Sequence, residues 1–329
     1  MKLVRLIATL LFTVFLFISL SFVSAQTRWN MHVAWPESNF HTQGVLRFAE
    51  LVSEKTDGAL TIVVNSGGAL GFEGQEILRV VGNKTLPLAE VLMGNVQGSE
   101  SVFGLTSLPL LVENYAGARA LYDAAKPAYE AALARHDTKL LYAVPWPPSG
   151  VFTQEEVTTP GGFDTLKVRT YDSNSAEVVE GLNAQGVAIP FSELFTALST
   201  GLVNAVLTSS STGVDATLWE VTRHFARINY AFPLDMVVVN REMFEDLPEE
   251  VRRAVLDAAA EVEQTQWEAS RKADEAAQAK LREGGIRMVD EVSSELERAM
   301  QEVAASLEEN WLSETGEAGR NVLERFNAR

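Results

Sequence analysis

The chain has 329 residues, with 27 Lys and Arg against 44 Asp and Glu, a formal net charge of −17, and no cysteine. Lack of cysteine rules out a disulfide framework, a thiol nucleophile and a lipidated cysteine anchor. The acidic excess argues against nucleic acid and anionic lipid as partners, because both need clustered Lys and Arg.

The first 25 residues read as a secretory signal: Lys2 and Arg5, a long apolar run over 6–23, then small residues ending at Ala25. Cleavage is expected after Ala25, with Val23 and Ala25 at the minus-three and minus-one positions. An uncleaved membrane anchor is the alternative, since the run approaches the lower length of a spanning helix. Removing Lys2 and Arg5 leaves 25 basic side chains against 44 acidic ones. An anionic ligand would then need a local, desolvated positive group, because the general field repels it. The remaining length of about 300 residues exceeds one hydrophobic core and predicts two lobes.

Strand and helix patterns alternate from there. Residues 29–35 read as a strand and 41–56 as a helix with Val45, Phe48, Ala49 and Val52 on one face. Residues 60–65 are apolar and β-branched, followed by the turn Ser66-Gly67-Gly68 and a helix near 75–81. This β-α-β-α opening implies a largely parallel sheet covered on both faces. At 140–150 a strand runs into Pro145-Trp146-Pro147-Pro148-Ser149-Gly150, where proline forbids a helix, and the segment is expected to cross between lobes. The same grammar restarts: strand 166–170, helix 173–183, strand 187–190, helix 191–199 and strand 205–208. A second crossing is expected at 230–240, where the strand-like 236–239 returns to the first lobe.

From Pro248 to Glu283 the sequence is rich in Ala, Glu, Lys, Arg and Gln, with no interior Gly or Pro. A helix of that length spans about 50 Å and can brace both lobes. A dimerising coiled coil is the competing reading, but the stripe Val251, Val255, Ala258, Val262, Trp267 lacks sustained heptads. The expected organisation is therefore lobe I over 26–149 with 236–290 returning to it, lobe II over 150–235, the bracing helix over 248–283, and C-terminal helices over 291–329.

Chemical groups for catalysis are scarce. The four histidines, His32, His41, His136 and His224, fall in no metal-ligand spacing, and only His41 sits near a predicted strand end. The glycine cluster over 66–74 matches neither a dinucleotide fingerprint nor a P-loop and reads as a tight loop that can line a cleft. Paired carboxylates are expected by chance in so acidic a chain and warrant no acid-base assignment. No cofactor or metal is expected.

Arg169 is the leading candidate for an anion anchor. It ends Leu166-Lys167-Val168-Arg169-Thr170, and open α/β sheets collect ligands at strand termini. A guanidinium stays charged on burial and meets a carboxylate with two parallel hydrogen bonds, which lysine cannot do. From local sequence alone, a solvated strand-end arginine paired with a nearby acid fits equally well.

That strand, together with Pro190-Phe191-Ser192-Glu193-Leu194-Phe195-Thr196-Ala197-Leu198-Ser199-Thr200-Gly201-Leu202-Val203-Asn204-Ala205, resembles the substrate-binding subunits of tripartite ATP-independent periplasmic (TRAP) transporters, the dicarboxylate-binding-protein family. Supporting matches are Arg47-Phe48-Ala49-Glu50-Leu51-Val52, Gly67-Gly68-Ala69-Leu70-Gly71, Phe103-Gly104-Leu105-Thr106-Ser107-Leu108-Pro109, and Val238-Val239-Asn240 before Leu247-Pro248. The resemblance implies an α/β, periplasmic-binding-protein-like fold: two β/α lobes around a ligand cleft, with the long helix bracing both. It also implies Arg169 as the carboxylate anchor and an ion-gradient-driven membrane permease as partner. Where the family commonly places an Asn, this chain has Thr208-Ser209-Ser210, and the second carboxylate contact passes to those hydroxyls.

The rest of the lining is read from strand ends and crossings: Trp35, Asn39, Phe72, Asn95, Trp146 and Phe232. Several aromatics with one arginine suit an aromatic or hydrophobic monocarboxylate, whereas a dicarboxylate or sugar acid should demand further cations or polar groups. The expected protein is a monomeric periplasmic solute-binding protein, not an enzyme, that contacts neither nucleic acid nor, after signal cleavage, the bilayer interior. A secreted α/β enzyme and a ligand sensor are the alternatives from other classes.

Overall fold

The computed structural model describes residues 26–328. The signal peptide expected over 1–25 lies outside the described residues. Among the described residues no helix is long and apolar enough to cross a membrane.

The chain opens with β1 (Thr27–His32), α1 (Phe40–Lys55), β2 (Leu60–Asn65), α2 (Ile77–Gly82) and β3 (Leu88–Leu92). The side chain of Asn39 starts α1 by accepting from the His41 amide at 2.8 Å, satisfying an otherwise orphan donor. Helix α3 (Tyr115–Arg135) then leads into β4 (Thr138–Pro145). With β10 (Leu234–Asn240) these strands form a five-stranded sheet in the order β2-β1-β3-β10-β4. The β1 pairings are parallel, while β10 runs antiparallel to both β3 and β4. That reversal follows from β10 arriving from the other lobe.

The second lobe holds β5 (Ser149–Thr153), β6 (Lys167–Thr170), α4 (Ser173–Gly181), β7 (Gln185–Ala188), α5 (Phe191–Ser199), β8 (Ala205–Ser209), α6 (Ser210–Asp215), β9 (His224–Ala226) and the late strand β11 (Arg287–Val289). Its six-stranded sheet has the order β11-β9-β5-β8-β6-β7. The α/β two-lobe architecture expected from the sequence is present, with three adjustments at the edges. Ser149 already belongs to the second sheet, Leu234 and Asp235 already belong to the first, and Arg287–Val289 pairs with β9 in the second sheet instead of returning to the first lobe. The last adjustment has a simple cause: α8 (Glu249–Glu283), which follows the short α7 (Arg241–Glu245), is long enough to carry the chain from one lobe to the other.

Helix α8 packs on α1 and β4 in the first lobe and on α6 in the second. Glu249 and Glu250 sit in its first turn and Lys280 and Arg282 in its last, each complementing the helix dipole. The closing helices α9 (Ser294–Thr315) and α10 (Glu317–Asn327) lie on α4 and α3 respectively, so they too touch both lobes.

The two crossing segments are hydrogen-bonded to each other. The Trp146 amide donates to the Pro233 carbonyl at 2.8 Å and the Ser149 amide to Ala231 at 3.1 Å. A paired ribbon therefore joins the sheets, and the cleft opens beside it.

Candidate functional site

In the second lobe β6, β7 and β8 run parallel, so their carboxyl ends share one edge, and that edge faces the cleft. Arg169 sits near the end of β6 and is only 3% exposed. Its Nε donates to the Ile189 carbonyl at 2.8 Å, which fixes the plane of the guanidinium. Among the described residues it makes no ion pair with a carboxylate, so the alternative of a strand-end arginine matched to a neighbouring acid is not what the structure contains. Burial lowers its pKa to about 10, with Tyr171 and Asp172 pushing the other way, and it stays cationic at neutral pH.

Arg169 lines a cavity between the two lobes. Ser149, Tyr171, Thr208, Ser209 and Thr212 supply hydroxyls around it, and Trp35, Leu92, Trp146 and Pro233 supply apolar wall. The hydroxyls converge because Ser149 on β5 is in register with Ser209 on β8. The Tyr171 hydroxyl is bonded to that of Tyr230 and lies 3.4 Å from Ser149 Oγ, so its ring is held from behind.

The apolar wall belongs to the first lobe and its crossing. Trp35 and Trp146 meet edge to face with centroids 4.7 Å apart. Both indole nitrogens donate to one buried carboxylate, Asp235: Trp35 Nε1 to Oδ2 at 2.5 Å and Trp146 Nε1 to Oδ1 at 2.9 Å. Behind them, His41 Nδ1 lies 3.4 Å from Glu90 Oε1 and 3.9 Å from Asp235 Oδ2. Burial raises Glu90 to about 8 and Asp235 to about 7, and lowers His41 to about 4, so the histidine is neutral at pH 7. These three side chains are the grouping among the described residues whose ligand atoms lie close enough to share a metal ion. Both Asp235 oxygens already accept an indole N–H, however, and the His41 ring packs against Trp146 at 4.3 Å, so these two side chains support the tryptophan wall.

The lobes are closed on each other. Trp35 packs against Phe191 of the opposite lobe at 5.5 Å, Asn39 Nδ2 donates to Asp215 Oδ2 at 2.5 Å, and Ser107 Oγ donates to Asp172 Oδ2 at 2.5 Å. Gly94 permits the last contact: a Cβ there would fall 2.0 Å from Asp172 Oδ2.

Of the residues singled out from sequence, Arg169, Trp35, Trp146, Thr208 and Ser209 come together around the cavity. Phe72 and Asn95 line an adjoining part of the cleft with Trp35, Leu92 and Phe191. Asn39 is placed instead at the interlobe contact with Asp215. Ser210 turns away, donating to Asp274 on α8 at 2.5 Å. Phe232 is core, edge to face with Tyr115 at 5.1 Å, and its neighbour Pro233 reaches the cavity in its stead. Sequence reasoning missed Ser149, Tyr171, Thr212 and Leu92, and it missed Asp235 behind the wall. Tyr171 was within reach, since it follows Arg169 by two residues and strand side chains repeat with period two.

A buried cation facing hydroxyls and indoles across a hinged cleft defines the class: a two-lobe solute-binding receptor. Comparison with known proteins agrees. Residues 31–314 match the profile of the bacterial extracellular solute-binding protein family 7, DctP, and the chain belongs to that family. The ectoine-binding periplasmic protein TeaA of Halomonas elongata is 25% identical over 303 residues, covering 89% of this chain and 82% of TeaA. Two solved structures superpose with a TM-score of 0.89 over 92% of this chain. One is DctP6, a Bordetella pertussis extracytoplasmic solute receptor binding pyroglutamic acid, 28% identical and covered over 100% of its length. The other is a marine metagenome TRAP solute-binding protein specific for pyroglutamate, 29% identical and covered over 99%. Members of this family are the periplasmic receptors of TRAP transporters. They bind small organic acids and work with a membrane permease, without catalysis.

Proposed function

We propose that this chain captures a compact cyclic monocarboxylate, pyroglutamate or a close analogue, and delivers it to a TRAP-type permease after export and cleavage following Ala25. The observation that carries the reading is the composition of the cavity: one guanidinium, five hydroxyl side chains and an apolar wall, with no second cation. A carboxylate would sit on the free edge of Arg169, a bidentate charge-assisted contact. Thr208, Ser209 and Thr212 would complete its hydrogen bonds, and an apolar ring would lie against Trp35, Trp146 and Pro233. The two pyroglutamate receptors at 28% and 29% identity support a ring carrying both a carboxylate and an amide edge, which keeps the monocarboxylate expected from sequence and replaces its aromatic or hydrophobic body with a polar lactam. Nothing on the first-lobe wall would neutralise the second charge of a dicarboxylate.

The test is a thermal-shift and calorimetric panel of pyroglutamate, benzoate, a branched 2-oxo acid, succinate and glucuronate. Pyroglutamate or another monocarboxylate should raise Tm with concentration and be recovered chemically unchanged, since a ligand bound only by the folded state stabilises it by mass action. Tighter binding of succinate or glucuronate overturns the ligand class, and turnover of any of the acids overturns the receptor role.

A further inference from the structure

Asp235 does not line the cavity, yet it controls two residues that do. It is 1% exposed, the second residue of β10 and two residues after Pro233, which lines the cavity. Across the sheet it is in register with Leu92, another lining residue, and with Val144. Each of its two oxygens accepts one indole N–H, from Trp35 and from Trp146. An indole has a single donor, so one bond per ring selects the ring's rotamer and fixes which edge faces the ligand. No Lys or Arg among the described residues pairs with Asp235, and its titratable neighbours are Glu90, which burial raises to about 8, and a His41 that is neutral at pH 7.

We propose that Asp235 is the positioning and selectivity residue of the binding site: it locks both tryptophan walls and, in its ionised form, as an anion without a cationic partner, turns away ligands that carry a second carboxylate. Arg169 and Asp235 then stand on opposite sides of the ligand, positive on the second lobe and negative behind the first. A monocarboxylate with a donor or an apolar edge facing the tryptophans fits that polarity. A dicarboxylate would bring its second anion toward a buried carboxylate through a wall that supplies no compensating charge, and like charges in a desolvated site repel far more strongly than in water.

The selectivity half rests on the proposed monocarboxylate role, and the positioning half does not. Trp35, Trp146 and Asp235 all belong to the first lobe or its crossing, so their bonds form in the unliganded protein as well. The experiment compares wild type with Asp235→Asn, using Trp35→Phe and Trp146→Phe to assign the indole resonances, at pH 8. Asparagine keeps the shape but offers one acceptor, and its amide N–H₂ opposes the second indole. In 15N-labelled unliganded protein, Asp235→Asn should shift at least one of these two indole N–H signals and speed its hydrogen exchange tenfold or more. By calorimetry it should weaken pyroglutamate at least tenfold and lower the ratio of succinate to pyroglutamate Kd at least tenfold. Trp146→Phe, which keeps an aromatic wall and the Asp235 charge, should weaken pyroglutamate without lowering that ratio. Unchanged indole signals in Asp235→Asn overturn the positioning role, and an unchanged Kd ratio overturns the selectivity role. If wild type binds neither acid, the selectivity half falls together with the proposed ligand class, while the indole signals still decide the positioning half.

Discussion

Asn39 and Asp215 come from different lobes and meet at 2.5 Å, the amide of one donating to the carboxylate of the other. Asn39 also caps α1 through its Oδ1, so its side chain is committed at both ends, whereas Asp215 closes α6 and is free to be changed. Burial raises Asp215 to about 6, and the hydrogen bond from Asn39 acts in the opposite direction.

The bond is available only when the cleft is shut, so it favours the closed population. Asp215→Ala should therefore weaken ligand binding by roughly 5- to 30-fold, through faster release and without loss of stoichiometry, as expected for a charge-assisted bond of about 1–2 kcal/mol. Stopped-flow dissociation measures it. An unchanged off-rate removes the contact from the closing mechanism.

Gly94 offers a second way to keep the lobes apart. Its missing Cβ leaves room for Asp172, whose Oδ2 would otherwise lie 2.0 Å away. Asp172 also caps α4 by accepting from the Ser175 amide at 2.8 Å, so it cannot step aside without cost. Gly94→Ala should leave the unliganded fold intact, raise Kd at least tenfold and leave the ligand-bound radius of gyration close to that of the open form. Small-angle scattering with saturating ligand reads this directly, and normal compaction in the variant contradicts it.

Arg169 tests stability against function. Burial of its guanidinium lowers its pKa to about 10, so the folded protein carries a desolvation cost that a ligand carboxylate relieves. Arg169→Met keeps the stem and removes the charge. It should lower carboxylate affinity by about 100-fold or more while leaving the unliganded Tm equal to or above that of wild type. Arg169→Lys should also bind poorly, because a point charge cannot form the fork. Calorimetry and scanning calorimetry on the same samples separate the two effects. Near-normal affinity in Arg169→Met removes it as the anchor.

Much of this was legible in the chain. Period-two and period-3.6 patterns place β2 and α5 at the bounds observed, and the proline-rich stretch at 145–148 marks a crossing. Arg169, Trp35 and Trp146 follow from the rule that strand ends and crossings face a cleft. What could not be read depends on partners distant in sequence. Ser210 looks like a third hydroxyl beside Ser209, but α8 brings Asp274 to it from 64 residues away. Phe232 and Pro233 are adjacent, and only the paired ribbon decides which of them turns toward the cavity. For Asp235 and Glu90 a signal did exist: each is a lone acid in an otherwise apolar strand, Leu234-Asp235-Met236-Val237 and Leu88-Ala89-Glu90-Val91. Buried acids of that kind need a specific reason, since burial of a charge without partners is costly.

The same pair of acids makes stability depend on pH with a definite sign. Glu90 is raised to about 8 and Asp235 to about 7, both by burial, so between their ordinary values and these the folded protein holds protons that the unfolded chain has released. Their stabilising contribution is complete below about pH 4 and is lost as pH rises through 7 and 8. His41 is lowered to about 4 and acts in the other direction, but only between there and its ordinary value of 6.5. One histidine offsets one of the two acids, so stability falls across about pH 4.5 to 8 and most steeply just above pH 6.5, where the histidine no longer contributes. Glu90→Gln keeps the volume and cannot ionise, so it should flatten that limb. Relative to wild type its Tm should rise on going from pH 5.5 to pH 9 by several degrees, on the order of a few kcal/mol. Parallel Tm curves for the two proteins over this range mean that Glu90 is ionised in the fold, and the charge assignment behind the tryptophan wall is then wrong.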